Sequence, residues 1–265
     1  YDNVLEGIGK TPMVQVHNID TGPCQLFLKL ESQNPGGSIK DRMGLAMVEA
    51  AERDGLLKPG GKIIEATAGN TGLALALVAQ QKGYHLTIVV PDKMAQEKIF
   101  HLKALGAEVR LTRSDVGKGH PDYYQDVAER LAAETGAVFV NQFQNPANAQ
   151  AHEDFTGPEI WGQMGEDMDA IIAGIGSGGT IAGLSHFFER VAPDLEIILA
   201  DPEGSILTDL VNTGQVPNKV GSWLVEGIGE DFIPDVADLS RITKAYAISD
   251  KESFEAARDL LKCEG

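Results

Sequence analysis

The segment Ala170-Ile-Ile-Ala-Gly-Ile-Gly-Ser-Gly-Gly-Thr-Ile-Ala-Gly183 joins a short apolar run to a glycine-rich loop. Five of the ten residues from Gly174 to Gly183 are glycine, and a helical pattern begins at Thr180. Because glycine has no Cβ atom, the main-chain amides of such a loop can approach an anion closely. The segment therefore predicts a strand, a loop and a helix, with an anion site at the carboxyl end of the strand.

The same alternation of strand and helix patterns runs outward from this segment. Short β-rich runs occur at Lys62–Glu65, Leu86–Val90, Glu108–Leu111, Ala137–Val140, Ala170–Ala173 and Glu196–Ala200. Helical patterns occur at Gly72–Lys82, Ala95–Leu105, Pro121–Thr135 and Thr180–Val191. Unbroken apolar runs such as Thr87–Val90 are typical of parallel sheets that are covered on both faces. Repeated units of this kind predict a doubly wound α/β architecture.

Composition excludes several classes of protein. A length of 265 residues predicts two compact units or one large α/β body. The net charge of −17, from 39 acidic and 22 basic residues, argues against nucleic-acid partners and anionic membrane surfaces. The longest apolar run, Leu73–Ala79, is far short of a membrane span, and the first ten residues do not resemble a signal peptide. We therefore expect a cytoplasmic protein, and the two distant cysteines predict no metal site.

Lys40 is the first candidate catalytic residue, in Asn34-Pro-Gly-Gly-Ser-Ile-Lys-Asp-Arg42. Proline and two glycines predict a loop, Ser38 can cap the helix that follows, and Lys40 falls in its first turn. The field at a helix N-terminus, together with partial burial, lowers the affinity of an amine for its proton. An imine-forming lysine needs that property. On this segment alone, a solvated surface lysine is the alternative.

Two further glycine-bearing segments fall between ordered elements. Glu65-Ala-Thr-Ala-Gly-Asn-Thr-Gly72 places main-chain and side-chain donors at a helix N-terminus, where a carboxylate or phosphate would fit. A capped loop without a ligand is the alternative. Val225-Glu-Gly-Ile-Gly-Glu-Asp-Phe-Ile-Pro234 predicts a turn near a site or a structured loop. The glycines from Gly174 to Gly179, followed by Asp201, also fit a dinucleotide fingerprint, so a nicotinamide-dependent oxidoreductase is a competing hypothesis.

Together and in this order, the four segments resemble the fold-type II pyridoxal-phosphate enzymes, in the branch of cysteine synthase and cystathionine β-synthase. The resemblance runs from Leu5 to the end and includes Gly9-Lys-Thr-Pro-Met13. It implies two doubly wound three-layer domains like the tryptophan synthase β subunit. The larger, cofactor-binding domain would comprise residues 1–42 and 147–265, with its C-terminal end missing. A smaller, mobile substrate-loop domain would comprise residues 43–146.

The resemblance also implies a role for each motif residue. Lys40 would hold pyridoxal 5′-phosphate covalently and take the α-proton of the substrate, and Asn70 would face the 3′-oxygen of the cofactor. The phosphate cup would consist of Gly176, Ser177, Gly178, Gly179 and Thr180. The substrate would be bound by Thr67, Ala68, Gly69, Thr71, Gln142, Glu226 and Gly227.

Within the branch, Asp201-Pro-Glu-Gly-Ser205 and Val225–Gly229 are similar to cystathionine β-synthase, and the bacterial type is the nearest resemblance. The implied reaction is β-replacement on serine or an activated serine, with homocysteine as acceptor and cystathionine as product; production of hydrogen sulfide is compatible with it. Gln142-Phe143 and Thr156–Trp161 look more like cysteine synthase, which joins O-acetylserine and sulfide. A non-catalytic partner or sensor that keeps the cofactor is the alternative of another class.

Several positions depart from the family pattern. Ala68 stands where members usually carry serine, which removes a hydroxyl from the substrate loop, and Glu230 stands where animal cystathionine β-synthases carry tyrosine. A haem-binding extension is absent, so no haem is expected. The segment whose serine meets the pyridine nitrogen does not follow Gly265, so we expect a catalytic core that is cut short. The resemblance further implies amino-acid and thiol substrates and a homodimer.

Overall fold

The computed structural model describes residues 1–67, 69–117 and 119–265. The strands, in chain order, are β1 (Met13–Gln15), β2 (Phe27–Lys29), β3 (Lys62–Ala66), β4 (His85–Pro91), β5 (Glu108–Thr112), β6 (Val138–Phe139), β7 (Ala170–Ala173), β8 (Glu196–Pro202) and β9 (Ile242–Ile248). The helices are α1 (Lys40–Arg53), α2 (Asn70–Lys82), α3 (Gln96–Ala104), α4 (Tyr124–Thr135), α5 (Pro146–Ala151), α6 (Gly157–Gln163), α7 (Gly179–Val191), α8 (Leu207–Thr213) and α9 (Asp250–Cys263).

The chain divides into two compact units. Unit 1 comprises Tyr1–Lys10 and Glu31–Asn148, and unit 2 comprises Thr11–Leu30 and Ala149–Gly265. The last division falls at the end of the Pro- and Asn-rich stretch from Asn141 to Asn148. The assignment of a cofactor-binding and a substrate-loop role to two domains stays a prediction.

Unit 1 is built on a four-stranded parallel sheet in the order β5-β4-β3-β6. Ile64 and Val89 pack against Ala128 of α4 on one face of this sheet. Successive side chains of a strand point to opposite faces, and on the other face Gly72 of α2 lies close to Ile88. Helices therefore cover both faces of the parallel sheet, as the apolar strands predict.

Unit 2 is built on a three-stranded parallel sheet in the order β7-β8-β9. The α7 helix joins β7 to β8 and buries Phe188 completely in the core with Ile197 and Leu199 of β8. The ring of Trp161 meets Phe188 edge to face, with the ring centroids 5.9 Å apart. This arrangement fixes the loop between β7 and α7 at the carboxyl end of a core strand.

The predicted α/β class with parallel sheets is confirmed, and each predicted strand and helix lies on an observed element. The antiparallel pair β1–β2 and the strand β9 are absent from the sequence prediction. The first pair has only three residues per strand, and β9 is an edge strand that exposes Thr243 and Lys244. Among the described residues, no helix combines the length and apolar character needed to cross a bilayer.

The core of unit 2 can be tested through Phe188. We expect Phe188→Ala to lower the free energy of unfolding by about 3–5 kcal/mol, because the truncation leaves a cavity in a packed core. Both tryptophans, Trp161 and Trp223, belong to unit 2, so urea unfolding followed by tryptophan fluorescence measures this unit. Phe155→Ala is the matched control, since Phe155 is 64% exposed; equal effects of the two substitutions would contradict the assigned core.

Candidate active site

Lys40 lies at the first residue of α1, on unit 1. Its main-chain N–H donates to the Ser38 hydroxyl at 3.2 Å, and the Lys40 side chain is half-buried. The N-cap position itself is Ile39, whose side chain makes no capping bond. The predicted location of the lysine in the first turn is therefore observed, and the helix dipole raises the local potential there.

Two charged neighbours hold the loop that carries Lys40. Asp41 is fully buried, and its Oδ2 accepts the main-chain N–H of Gly36 at 2.5 Å. Burial raises the pKa of Asp41 to about 6, the bond from Gly36 opposes that change, and Glu31 adds to it by repulsion. Arg42 forms a bidentate ion pair with Glu31, in which both N–O distances are 2.7 Å. These contacts fold the chain back over the start of α1.

The segment before α2 offers donors at a second helix N-terminus of unit 1. Gly69 is the N-cap of α2, and no side chain caps that helix. The Gly69 N–H donates to the Thr67 hydroxyl at 3.2 Å, which shapes the turn. Asn70 is exposed, whereas Thr67 and Thr71 are buried. The first N–H groups of a helix have no intrahelical acceptor, so this end of α2 can take a carboxylate.

Unit 1 also brings Gln142 to the same segment. The Thr71 hydroxyl donates to Gln142 Oε1 at 2.7 Å, although the two residues are 71 positions apart. The Gln142 carbonyl accepts from Asn148 Nδ2 at 2.8 Å. The bond from Thr71 occupies the oxygen of the Gln142 amide, so the donors of its Nε2 group are the part that can serve an anion.

A buried carboxyl group, Glu65, lies beside these residues at the end of β3. It is 1% exposed, and its two oxygens accept main-chain N–H groups of Ala66, at 2.9 Å, and of Gln142, at 3.3 Å. Burial raises the pKa of Glu65 to about 8, although these N–H groups and that of Asn141 favour the charged form. Glu65 therefore keeps its proton into the neutral range in the folded protein.

The predicted phosphate cup lies in unit 2, between β7 and α7. Gly178, the N-cap of α7, has a φ of 88°, and a Cβ atom there would strike Ala237. A Cβ atom on Gly176 would lie 2.5 Å from the carbonyl oxygen of Gly227. No side chain caps α7, so a glycine-lined helix N-terminus is available to a phosphate.

Thr180, in the first turn of α7, is oriented by a buried histidine. The Thr180 Oγ1 lies 3.2 Å from His152 Nε2, and His152 Nδ1 lies 3.0 Å from Thr156 Oγ1. His152 starts a π-helical turn, His152–Thr156, and is fully buried. Such turns are frequent at functional sites, and this one sets the direction of a hydroxyl in the cup.

The fourth glycine segment approaches the cup within unit 2. The Gly229 N–H donates to the Ile175 carbonyl at 2.7 Å. The Ser205 hydroxyl bridges the main chain of Glu230, accepting its N–H at 3.1 Å and donating to its carbonyl at 3.2 Å. Ser205 ends the segment 201–205, and Glu230 follows the segment 225–229. These hydrogen bonds therefore join two segments that the sequence singled out separately.

The structure thus joins Thr71 to Gln142 in unit 1 and the Gly176 loop to the Gly227 loop in unit 2. Glu226 and Gly227 are exposed, and Ala68 lies outside the described residues. The sequence reasoning missed Glu65, Asp41 and His152. A charged residue in a buried strand was the available signal for Glu65, because such a residue needs a partner or a raised pKa.

Known proteins match almost the whole chain. The profile of a family described as pyridoxal-phosphate dependent enzyme matches residues 4–265. Cystathionine β-synthase of Apis mellifera is 43% identical over 267 residues, which cover 99% of this chain and 52% of that protein. Cysteine synthase of Staphylococcus aureus is 40% identical over 267 residues, which cover 100% of this chain and 83% of that protein.

Solved structures agree with the sequence relatives. A crystal structure of a hydrogen sulfide-producing enzyme from Fusobacterium nucleatum matches with a TM-score of 0.90 and 35% identity, covering 100% of this chain and 86% of that one. The chain spans about half the length of the cystathionine β-synthases that it matches. The nicotinamide hypothesis receives no support, and Asp201 Oδ2 accepts the N–H and hydroxyl of Thr208, both at 3.0 Å.

The phosphate cup can be tested by adding one methyl group. Gly176→Ala forces a Cβ atom against the Gly227 carbonyl, and overpacking of this size costs about 1–3 kcal/mol. We therefore expect the Kd for pyridoxal phosphate to rise ~10- to 100-fold, measured by fluorescence titration. Gly162→Ala is the control, because a Cβ atom there meets no neighbour within 4 Å. Unchanged cofactor binding by Gly176→Ala would refute the assignment of this loop as the phosphate-binding cup.

The raised pKa of Glu65 predicts how stability depends on pH. Between the unfolded value of 4.5 and the folded value of about 8, the folded protein binds one more proton than the unfolded chain. The free energy of unfolding therefore falls as pH rises through this window. We expect Glu65→Gln to make the fall shallower by roughly 1 kcal/mol per pH unit, measured by urea unfolding followed by circular dichroism.

Glu52→Gln is the control for this pH prediction. Hydrogen bonds from Tyr84 and Lys82 lower the pKa of Glu52, against its partial burial. Glu52 is therefore charged in both folded and unfolded chains above about pH 5, and its removal should leave the slope unchanged. Identical slopes for the unmodified protein and Glu65→Gln would contradict the assignment.

Proposed function

The chain belongs to the pyridoxal-phosphate-dependent enzymes, and on that premise we propose that it catalyses β-replacement on serine or an activated serine. The acceptor we propose is homocysteine, whose thiol replaces the β-hydroxyl of serine to give cystathionine and water in a transsulfuration reaction. Hydrogen sulfide would leave instead of water where the β-substituent of the donor is a thiol, as in cysteine. Bound pyridoxal phosphate supplies an electron sink next to the α-carbon of the amino acid. We assign three tasks to the residues described above.

Lys40 has the first task, to hold the cofactor and to carry a proton. Its amine would hold the cofactor covalently, and as a free amine it could take the α-proton of the amino acid as a general base. Lys40 lies at the first residue of α1 and is half-buried. A base of this kind must be neutral when the substrate is bound.

The hydrogen bond between Thr71 and Gln142 at the start of α2 is the observation that carries the proposal. It brings a buried amide to a helix N-terminus of unit 1, and the Thr71 hydroxyl orients that amide by donating to its oxygen. The main-chain N–H groups of the helix and the Nε2 donors of Gln142 suit the carboxylate of an amino acid. We assign substrate binding to these donors and to Gly69, and the 3′-oxygen of the cofactor to Asn70.

The loop from Gly176 to Thr180 has the third task, to bind the phosphate. Fixed amide dipoles can neutralise an anion without a cluster of basic side chains. That property suits a chain whose net charge is −17. The loop is held in shape by the close packing of Gly176 against the Gly227 carbonyl and of Gly178 against Ala237, which a Cβ atom at either glycine would prevent.

The choice of acceptor rests on the loop that Ser205 fixes. The segments 201–205 and 225–229, which resemble cystathionine β-synthase, are coupled through the Ser205 hydroxyl and Glu230. Cysteine synthase is the second candidate, with O-acetylserine and sulfide as substrates, since the chain covers 83% of the Staphylococcus aureus enzyme. We also propose a cytoplasmic homodimer, which light scattering of the purified protein would test.

Product analysis tests the function directly. Protein reconstituted with pyridoxal phosphate is given serine or O-acetylserine with homocysteine or sulfide, and cystathionine and cysteine are measured. We expect the highest kcat/KM for serine with homocysteine. A preference for O-acetylserine with sulfide would instead assign cysteine synthase, and cofactor binding without turnover of any pair would indicate a sensor.

The role of Lys40 has its own test. Lys40→Ala should lose the visible absorbance of the lysine–cofactor bond and lower turnover ~100- to 10,000-fold, the usual contribution of a general base. Lys58→Ala is the control, because Lys58 is an exposed lysine of the same unit. Normal turnover of Lys40→Ala would exclude the proposed chemistry.

A further inference from the structure

Glu65 is a buried acidic group that the proposed reaction does not use. It lies on β3, on the face of the unit 1 sheet opposite α4, and is 1% exposed. Burying a carboxyl group is costly unless its oxygens are satisfied by donors. Its partners therefore indicate what it does.

One of those partners lies in the segment that carries Gln142. Glu65 Oε2 accepts the N–H of Gln142, which is the donor of the Asn141–Gln142 peptide group, at 3.3 Å. On its other side, the Gln142 carbonyl is held by the fully buried Asn148. The peptide groups on both sides of Gln142 are thus fixed by side chains.

The backbone conformation of Asn141 also requires contacts that keep it in place. Asn141 has a φ of 50°, in the left-handed region that residues other than glycine seldom adopt. A strained conformation of this kind persists only where its surroundings enforce it. The carboxyl group of Glu65, which accepts the N–H of the Asn141–Gln142 peptide, is a contact that enforces it.

The direction of the Gln142 side chain follows from that backbone. With its main chain held, Gln142 places Oε1 2.7 Å from the Thr71 hydroxyl, and both residues are buried. A rotation of the Asn141–Gln142 peptide would carry the amide away from Thr71. Glu65 therefore influences the proposed carboxylate site through two hydrogen bonds in unit 1. The Gln142 N–H donates to Glu65, and the Thr71 hydroxyl donates to the Gln142 side chain.

We propose that Glu65 is a positioning residue for the amino-acid substrate: it holds the strained Asn141–Gln142 segment so that the pair of Gln142 and Thr71 presents the Nε2 donors of Gln142 to the substrate carboxylate. The inference rests on the proposed function, because it takes an amino acid as the ligand of that pair. It adds a residue that touches neither substrate nor cofactor but decides how tightly the substrate carboxylate is bound.

Glu65→Gln is the test substitution. It keeps the size of the side chain but replaces one acceptor oxygen with an NH2 group, which cannot accept the N–H that the oxygen held. In the holoenzyme, we expect the Kd and KM for serine or O-acetylserine to rise ~10-fold, as for loss of a hydrogen bond to a buried group. We expect kcat to change less than ~3-fold and the KM of the thiol to stay unchanged.

A purely structural role predicts a different result, namely a lower Tm with unchanged donor binding by the folded holoenzyme; that result would overturn the proposal. Glu52→Gln, which removes a carboxylate of unit 1 bonded to Tyr84 and Lys82, is the matched control and should leave the donor KM unchanged. If Glu65→Gln does not fold, Glu65→Asp is used instead. It retains both acceptors but withdraws them by one methylene, so the same rise in donor KM is expected.

A double-mutant cycle with Gln142→Ala separates the inference from the proposed function. If Glu65 acts through Gln142, Glu65→Gln should add less than ~2-fold to the donor Kd of Gln142→Ala. If Gln142→Ala weakens donor binding but Glu65→Gln does not, or if the two effects multiply, the positioning role is wrong and the proposed function stands. If Gln142→Ala leaves donor binding unchanged, the carboxylate site itself is wrong.

Discussion

The main-chain N–H groups at the start of α2 and α7 are the constraint around which each unit is arranged. Neither helix has a side-chain cap, and each follows the carboxyl end of a parallel strand. An anion can satisfy those donors only if no Cβ atom stands in the way. Glycine at positions 69, 176 and 178 meets that condition, and close contacts with Gly227 and Ala237 leave no room for a larger residue at the last two.

Such a site depends on dipoles held in place rather than on net charge, and the surrounding contacts supply that rigidity. In unit 1, Asp41 and the Glu31–Arg42 pair hold the loop before Lys40. In unit 2, His152 orients Thr180, and Ser205 ties down the loop that approaches Gly176. All of these are buried or half-buried polar groups, whose hydrogen bonds are strong because little water competes for them.

Glu65 shows how a buried acid can serve an anion site without opposing it. Burial raises its pKa to about 8, so at neutral pH it adds little negative charge near the groups that would bind a carboxylate. Its oxygens still accept main-chain N–H groups in the neutral form. Burial of this residue lowers the free energy of unfolding as pH rises from 4.5 to about 8, and it also lets the carboxyl group hold the Asn141–Gln142 peptide in place.

The sequence by itself determined the parallel α/β class, the glycine loops and the place of Lys40 in the first turn of a helix, because strand hydrophobicity, glycine content and helix starts are set by neighbours along the chain. Resemblance over four ordered motifs added the family. Only the tertiary structure decided that Thr71 meets Gln142, that Gly176 lies against Gly227, and that Glu65 accepts the N–H of Gln142. Those pairs are about 50 to 80 residues apart, and a contact at that separation depends on strand register and side-chain packing, which no local pattern encodes.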